Sequence, residues 1–200
     1  MSFNSKEGEI EKKYGINSNK GNWLVVKEGN NKIRLISDSE DFGQHWDTQL
    51  KKSFICTGKD TCSYCQAGDK SRAQFMAYVL DREDAQVKLF QFGYKIYGEI
   101  AKLAKSEDYG FEGVPNYDIT IIRKGKGLDT EYSILADRKD TKIAEEEEAL
   151  ILKATEKSVT DILAEMKEKR LKEMNVKETD TTADKIIEEE GEIKVEDIDL

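Results

Sequence analysis

Apolar and polar residues alternate in short runs through the first two-thirds of the chain, then change to helical spacing. The first run, Trp23-Leu24-Val25-Val26, precedes a Gly-Asn-Asn turn and residues 32–37. In the second run Ile33, Leu35 and Ser37 share one face, and Lys32, Arg34 and Ile36 the other. This pair predicts a hairpin. Residues 73–80 (AQFMAYVL), a charged turn at 81–84 and residues 86–92 (QVKLFQF) predict a second. Between 94 and 105 the period lengthens, with Ile96, Ile100, Leu103 and Ala104 at helical spacing. Residues 117–122, a Lys-Gly-Lys-Gly turn and residues 130–135 predict a third hairpin, and the only proline, Pro115, stands ahead of it. At least five short strands with one embedded helix predict a small, mainly β barrel with some α. The five-stranded OB-fold is the commonest of that kind, although periodicity does not separate it from other small barrels.

The flanks read differently. Residues 1–22 are polar and Gly/Asn-rich and predict a flexible N-terminal arm, so the core is expected over 23–142. Beyond it, Ser158-Val-Thr-Asp161 is a helix cap with Val159, Ile162, Leu163 and Met166 as an apolar stripe, giving a helical region over 143–174. Residues 175–200 have few large apolar groups and many acids and predict a disordered tail.

Charge sharpens that division. The chain of 200 residues has a net charge of -9. Up to Lys142 there are 23 Lys/Arg against 22 Asp/Glu; from Ile143 onward, 9 against 19. A near-neutral body thus carries an acidic extension, and the whole-chain charge does not argue against a nucleic-acid partner. No apolar run approaches the about 20 residues of a membrane span, and the N-terminus shows no apolar leader segment. The expectation is a cytoplasmic protein with no membrane partner (host cytoplasm if phage-encoded), whose thiols stay reduced.

All three cysteines, Cys56, Cys62 and Cys65, and the single histidine, His45, fall in one short segment. Zinc prefers four tetrahedral ligands, and Cys3His is a standard structural set; four protein ligands leave no open position for catalysis. One structural zinc in a subdomain around 43–72 is the expectation. A disulfide would need an oxidising compartment and leave one cysteine over. A redox CxxC would need a βαβ setting, and plain core cysteines beside a chance histidine would need nothing more. No catalytic set accompanies the cluster, so no enzymatic activity is expected.

Basic and aromatic residues interleave in the body. Lys51 and Lys52 stand near Phe54, Arg72 before Phe75, and Lys88 before Phe90 and Phe92. Tyr94 and Tyr97 flank Lys95, and Arg123, Lys124 and Lys126 follow Tyr117. Cations along phosphates and rings under unstacked bases are what a single-strand binder needs. A strand aromatic can equally be core, and alternation does not say which face is inside.

Taken together, the His45…Cys56…CSYC arrangement, the strand FMAYVL, LFQFGYKIY running into a helix, the hairpin YDITIIRKGKGLDTEYSIL and the acidic tail resemble the zinc-containing single-stranded DNA-binding protein of T-even bacteriophages and its phage relatives. The likeness covers roughly 23–140. It implies an OB-fold with zinc in an inserted subdomain and a groove for single-stranded DNA. It also implies sequence-independent binding in DNA replication, recombination and repair. By position Arg72, Phe75, Phe90 and Tyr117 match groove residues, with Lys51 and Lys52 near the backbone. Two features depart from the family. The arm SFNSKEGEIEKKYG lacks the basic motif used there for cooperative self-association, and the spacing from Cys56 to Cys62 is short. The tail tip, Asp197-Ile198-Asp199-Leu200, resembles the partner-docking end of bacterial single-strand binders, which implies recruitment of replication or recombination proteins and competition with DNA. A plain solubility tail is the bland reading, and a zinc-stabilised interaction adaptor in replication or transcription is the alternative function.

Overall fold

The computed structural model describes residues 23–189, with side chains described to residue 174 apart from Leu128. Seven strands form an antiparallel sheet: β1 (Gly29–Leu35), β2 (Glu40–Asp47), β3 (Lys52–Ile55), β4 (Arg72–Asp81), β5 (Gln86–Gly93), β6 (Ile119–Lys124) and β7 (Glu131–Ala136). Four helices accompany them: α1 (Ser63–Gln66), α2 (Tyr94–Ala104), α3 (Glu145–Ala154) and α4 (Val159–Glu189). The strand order is β3-β2-β4-β1-β6-β7, with β5 on the other side of β4. The chain divides into two compact units, one of residues to Phe42 with Arg72–Ile162, the other of Gly43–Ser71 with the chain from Leu163.

In the first unit the two later hairpins form as expected. β4 pairs β5 from Gln74↔Gly93 to Asp81↔Gln86, and β6 pairs β7 from Ile119↔Ala136 to Lys124↔Glu131. The expected N-terminal hairpin does not. Gly29-Asn-Asn is the start of β1, which pairs the distant strands β4 and β6, and Trp23 bridges Leu89 of β5 instead. Gly29 at φ +95 and the Asn31 side chain, bonded to both N and O of Lys27, bend the chain into β1.

Barrel closure is not among the strand pairings, and the sheet remains an open path. Its physical reason lies at the β5 edge. Leu24 N–H donates to Leu89 O at 2.8 Å, so the incoming chain occupies hydrogen-bonding positions that β7 would need. α2 packs against β7 instead.

β4 is buried continuously from Phe75 to Asp81, because both of its faces are covered. Phe75, Ala77 and Val79 join Ile33, Leu35, Phe90, Phe92, Ile96, Tyr117, Ile119 and Ile121 in the main core. Met76, Tyr78 and Leu80 point to the opposite face and are equally buried. On that side Tyr78 Oη donates to Lys157 O at 3.0 Å, Val159 is buried, and α3 packs on β5. Residues 145–159 therefore belong to the folded body.

One buried ionic network ties this body together. Arg34, 3% exposed, donates from Nε to Asp118 Oδ1 (2.7 Å) and from Nη2 to Thr141 O (2.7 Å). Arg82 donates to both Asp118 oxygens (3.0 and 3.1 Å) and to Glu147 Oε1 of α3 (2.5 Å). Burial disfavours the Arg82 charge, yet Asp118 and Glu147 raise its pKa above the ordinary value.

The expected cap at Ser158 is present, with Ser158 Oγ accepting Asp161 N–H at 3.0 Å. α4 continues past Met174 to Glu189, whereas the sequence predicts a helix fading near 174 and disorder from 175. Its interior holds neither glycine nor proline; Gly191 is the first breaker. The predicted arm, residues 1–22, and the tail beyond 189 lie outside the described residues.

Candidate metal centre

His45 lies on β2, and β2 pairs β3 with His45 opposite Phe54. Gly43, also on β2, lets the following chain come close. A Cβ there would sit 3.0 Å from Cys56 Cβ and Ser71 Oγ, and Gly43 O accepts Cys56 N–H at 2.8 Å. Gly58, at φ +113, turns the chain so that its carbonyl accepts Cys62 N–H at 2.9 Å. α1 follows at once and carries Cys65.

These turns bring one donor atom from each of His45, Cys56, Cys62 and Cys65 within 4.8 Å of one another. Cys65 Sγ stands 3.4 Å from His45 Nε2 and 3.5 Å from Cys56 Sγ, and all three cysteines are free. Ligands around a tetrahedral metal with bonds of about 2.0–2.3 Å lie about 3.3–3.8 Å apart, so the separations of Cys65 from His45 and from Cys56 fit, within a cluster that spans no more than 4.8 Å. His45 and Cys62 are buried and Cys56 and Cys65 half-buried, which limits the access of water to the cluster.

The surroundings favour a cation. Burial opposes ionisation of Cys62, but backbone N–H groups of Cys65, Thr57 and Tyr64 together with His45 bring its pKa down to about 7. Cys65 is pushed up to about 12, first by its hydrogen bond with Cys56, then by burial and by the charges of the other two thiols. Three thiolates this close repel unless a positive ion sits among them. His45 Nδ1 bonds Asp69 Oδ2 at 2.8 Å, which leaves Nε2 as the nitrogen facing the thiols. The four residues can therefore bind a metal ion. Among the described residues this is the one group of three or more such side chains with that convergence.

Tyr64 packs beneath the site. Its ring stacks on His45 (centroids 5.3 Å, 18°) and on Phe54 (5.9 Å, 19°), and its hydroxyl donates to Asp47 Oδ2 at 2.6 Å. Burial and then Asp47 raise its pKa to about 12, so it stays a neutral donor at physiological pH. Neither Asp69 nor Tyr64 is a sequence-predicted site residue, since an outer-shell partner obeys no spacing rule. An Asp69→Ala chain is expected to bind metal about 10–100-fold more weakly, measured by competition with a chromogenic chelator.

The predicted nucleic-acid residues divide. Phe75, Phe90, Phe92 and Tyr117 are at most 8% exposed and belong to the core. They offer little open ring face for a base, although Phe90 and Phe92 stand in the lining of the cleft described below. Tyr117 instead donates to Tyr109 O. Arg123 is half-buried, with Nη1 on Val26 O at 2.9 Å and no hydrogen-bond partner for Nε. Lys51, Lys52, Arg72, Lys95, Lys124 and Lys126 are exposed. Asp197, Ile198, Asp199 and Leu200 lie outside the described residues.

Arg72 and Lys95 do come together. With Gln74, Gln91, Tyr94, Tyr132 and the apolar Leu24–Val26 stretch they line a cleft of about 770 Å³ in the first unit, and no acidic residue lines it. Tyr94 is 69% exposed and Tyr132 half-buried. An adjoining cleft shares Tyr94, Lys95 and Tyr132 and adds Tyr97, Lys102 and Lys105, with Glu99 and Glu131. The sequence signal for Tyr94 was its place beside Lys95. Tyr132, across from Arg123 in the β6–β7 pairing, had none.

Fold and site thus define a mainly β protein with an antiparallel sheet and a Cys3His cluster able to hold a metal ion. Comparison with protein-family models, curated proteins and solved structures finds no match. No helix among the described residues is long and apolar enough to cross a membrane.

Proposed function

We propose that this chain binds single-stranded nucleic acid, DNA in the first instance, through the cleft of Arg72, Lys95, Tyr94 and Tyr132, with one structural zinc at His45, Cys56, Cys62 and Cys65. The observation that carries the reading is the cleft itself: two cations, an open tyrosine ring and two glutamines, with no acid among them. Cations track phosphates, a ring accepts any base, and the absence of base-specific forks suits binding without sequence preference. Zinc is favoured by three cysteine sulfurs and an imidazole nitrogen converging within 4.8 Å of one another. Full occupation of a four-coordinate ion by protein makes its role structural.

The strand path β5-β4-β1-β6-β7, with α2 between β5 and β6, is compatible with a partly open OB-fold. In that reading the metal-carrying segment is an insertion between β1 and β4. The resemblance to the T-even phage family supports the same conclusion, and with it a role in replication, recombination and repair. An adaptor role is favoured by one feature, the exposed Leu150 and Leu152 on acidic α3.

The test is a set of variants titrated with oligo-dT. Tyr94→Ala is expected to cost about 1–3 kcal/mol of binding. Arg72→Ala and Lys95→Ala are each expected to lower the salt slope by about 0.7. Wild-type affinity and slope in all three variants would move the interface elsewhere.

A further inference from the structure

The second unit contains a continuous column of stacked groups that begins at a metal ligand and ends on the C-terminal helix. The His45 ring faces Tyr64 (5.3 Å), Tyr64 faces Phe54 (5.9 Å), and the Arg170 guanidinium of α4 lies over Phe54 at 4.0 Å. Arg170 is 12% exposed at its side chain and also approaches Glu173 Oε2 (3.6 Å), so the guanidinium is held rather than solvated. Leu163, at the start of the α4 portion in this unit, is buried.

The two rings between His45 and Arg170 stand on segments that the metal would organise. Tyr64 sits between two cysteine ligands on a four-residue helix that has no buried residue and no side-chain cap. One turn of helix does not hold itself in water. Apart from the hydroxyl bond to Asp47, its position therefore depends on Cys62 and Cys65 being tied to His45 and Cys56. Phe54 stands across the β2–β3 pair from His45 and neighbours the buried Ile55, next to Cys56. A cation over an aromatic face is attracted only while the ring keeps its place, and the attraction grows when both are shielded from water.

We infer that the metal centre is a latch for the C-terminal helix: metal at His45, Cys56, Cys62 and Cys65 holds Tyr64 and Phe54 in register to seat Arg170. Loss of the metal frees α4 from Leu163 onward. This rests on the reading of the four residues as a metal site and is independent of what the cleft binds. Its consequence is that metal state governs the freedom of the acidic C-terminal segment, which holds most of the chain's excess negative charge. The column acts through position, so Phe54 and Arg170 are positioning residues.

The experiment is hydrogen exchange by mass spectrometry on the full chain, with metal content measured on the same samples. Chelation with EDTA is expected to speed exchange about tenfold or more over 163–174 as well as over 43–71, with the β4–β5 hairpin unchanged. Phe54→Leu and Arg170→Ala are expected to retain the metal and yet speed exchange over 163–174 alone. In a metal-binding chain, three results overturn the latch. Exchange over 163–174 could stay unchanged on chelation while 43–71 opens. It could stay unchanged in both metal-loaded variants. Or protection could fall equally in β4 and β5, which would make the metal a general stabiliser. A wild-type chain that binds no zinc at all refutes the metal site itself and the latch with it.

Discussion

A Cys62→Ser chain is expected to purify without metal and to lose the fold of residues 43–71. Cys62 is 2% exposed, and its sulfur receives the local backbone N–H groups that favour a thiolate. A serine hydroxyl in the same place ionises far less readily and is a poor ligand for a soft site. The segment has little to fall back on. Its buried groups are few, chiefly His45, Ile55 and Cys62, while Trp46 and Leu50 are about half exposed. Structural zinc contributes about 10–16 kcal/mol of apparent binding energy in small peptides, far more than that core supplies. Metal analysis and thermal melting check this: unchanged metal content in the variant would remove the assignment.

Asp118→Ala is expected to cost about 3–5 kcal/mol, the second large effect. Asp118 is 2% exposed and accepts hydrogen bonds from two guanidinium groups, Arg34 and Arg82. Removing it takes the carboxylate from the buried Arg34 charge and leaves Thr141 O as its hydrogen-bond partner. Arg82 would keep Glu147, so part of the α3 contact survives. The melting temperature should fall by roughly 10–20 °C for a body of this size. Replacing Arg34 by methionine in the Asp118→Ala background is expected to recover part of the loss, because the buried charge is then gone. A loss below about 1 kcal/mol for Asp118→Ala alone would mean that the network is hydrated and has little role in stability.

Much of this was legible from residues. The two later hairpins and α2 follow from period-2 and period-3.6 patterns and have local partners. The metal cluster was legible because cysteine and histidine are so scarce that their confinement to 45–65 leaves few readings. The N-terminal strand pair was misread for the opposite reason. Gly29-Asn-Asn has turn chemistry, but the partners of β1 lie about 50 and 90 residues away, at Val79–Asp81 and Ile119–Arg123. Nothing local announces them.

The burial of the strand aromatics was illegible for a related reason. FMAYVL gives no sign of which face is buried, and in the fold both are: Met76, Tyr78 and Leu80 are buried on one side, where Tyr78 bonds Lys157, while the core takes Phe75 and Phe90 on the other. A strand buried on both sides reads as a continuous apolar run, and its rings serve packing. The same finding changes where a tail deletion belongs. The charge boundary falls at Lys142, yet Glu147 and Lys157 contact the body. A chain ending at Lys142 would expose an apolar face, so a deletion meant to test the tail should begin beyond Met174.

The most direct test is a fluorescence titration of the full-length, metal-loaded chain with oligo-dT at two salt concentrations. The account predicts quenching of intrinsic fluorescence and an affinity that falls with salt by about 0.7 log units per log unit for each phosphate neutralised. A chain that neither quenches nor binds at low salt, with its metal in place, would contradict it and leave the adaptor reading.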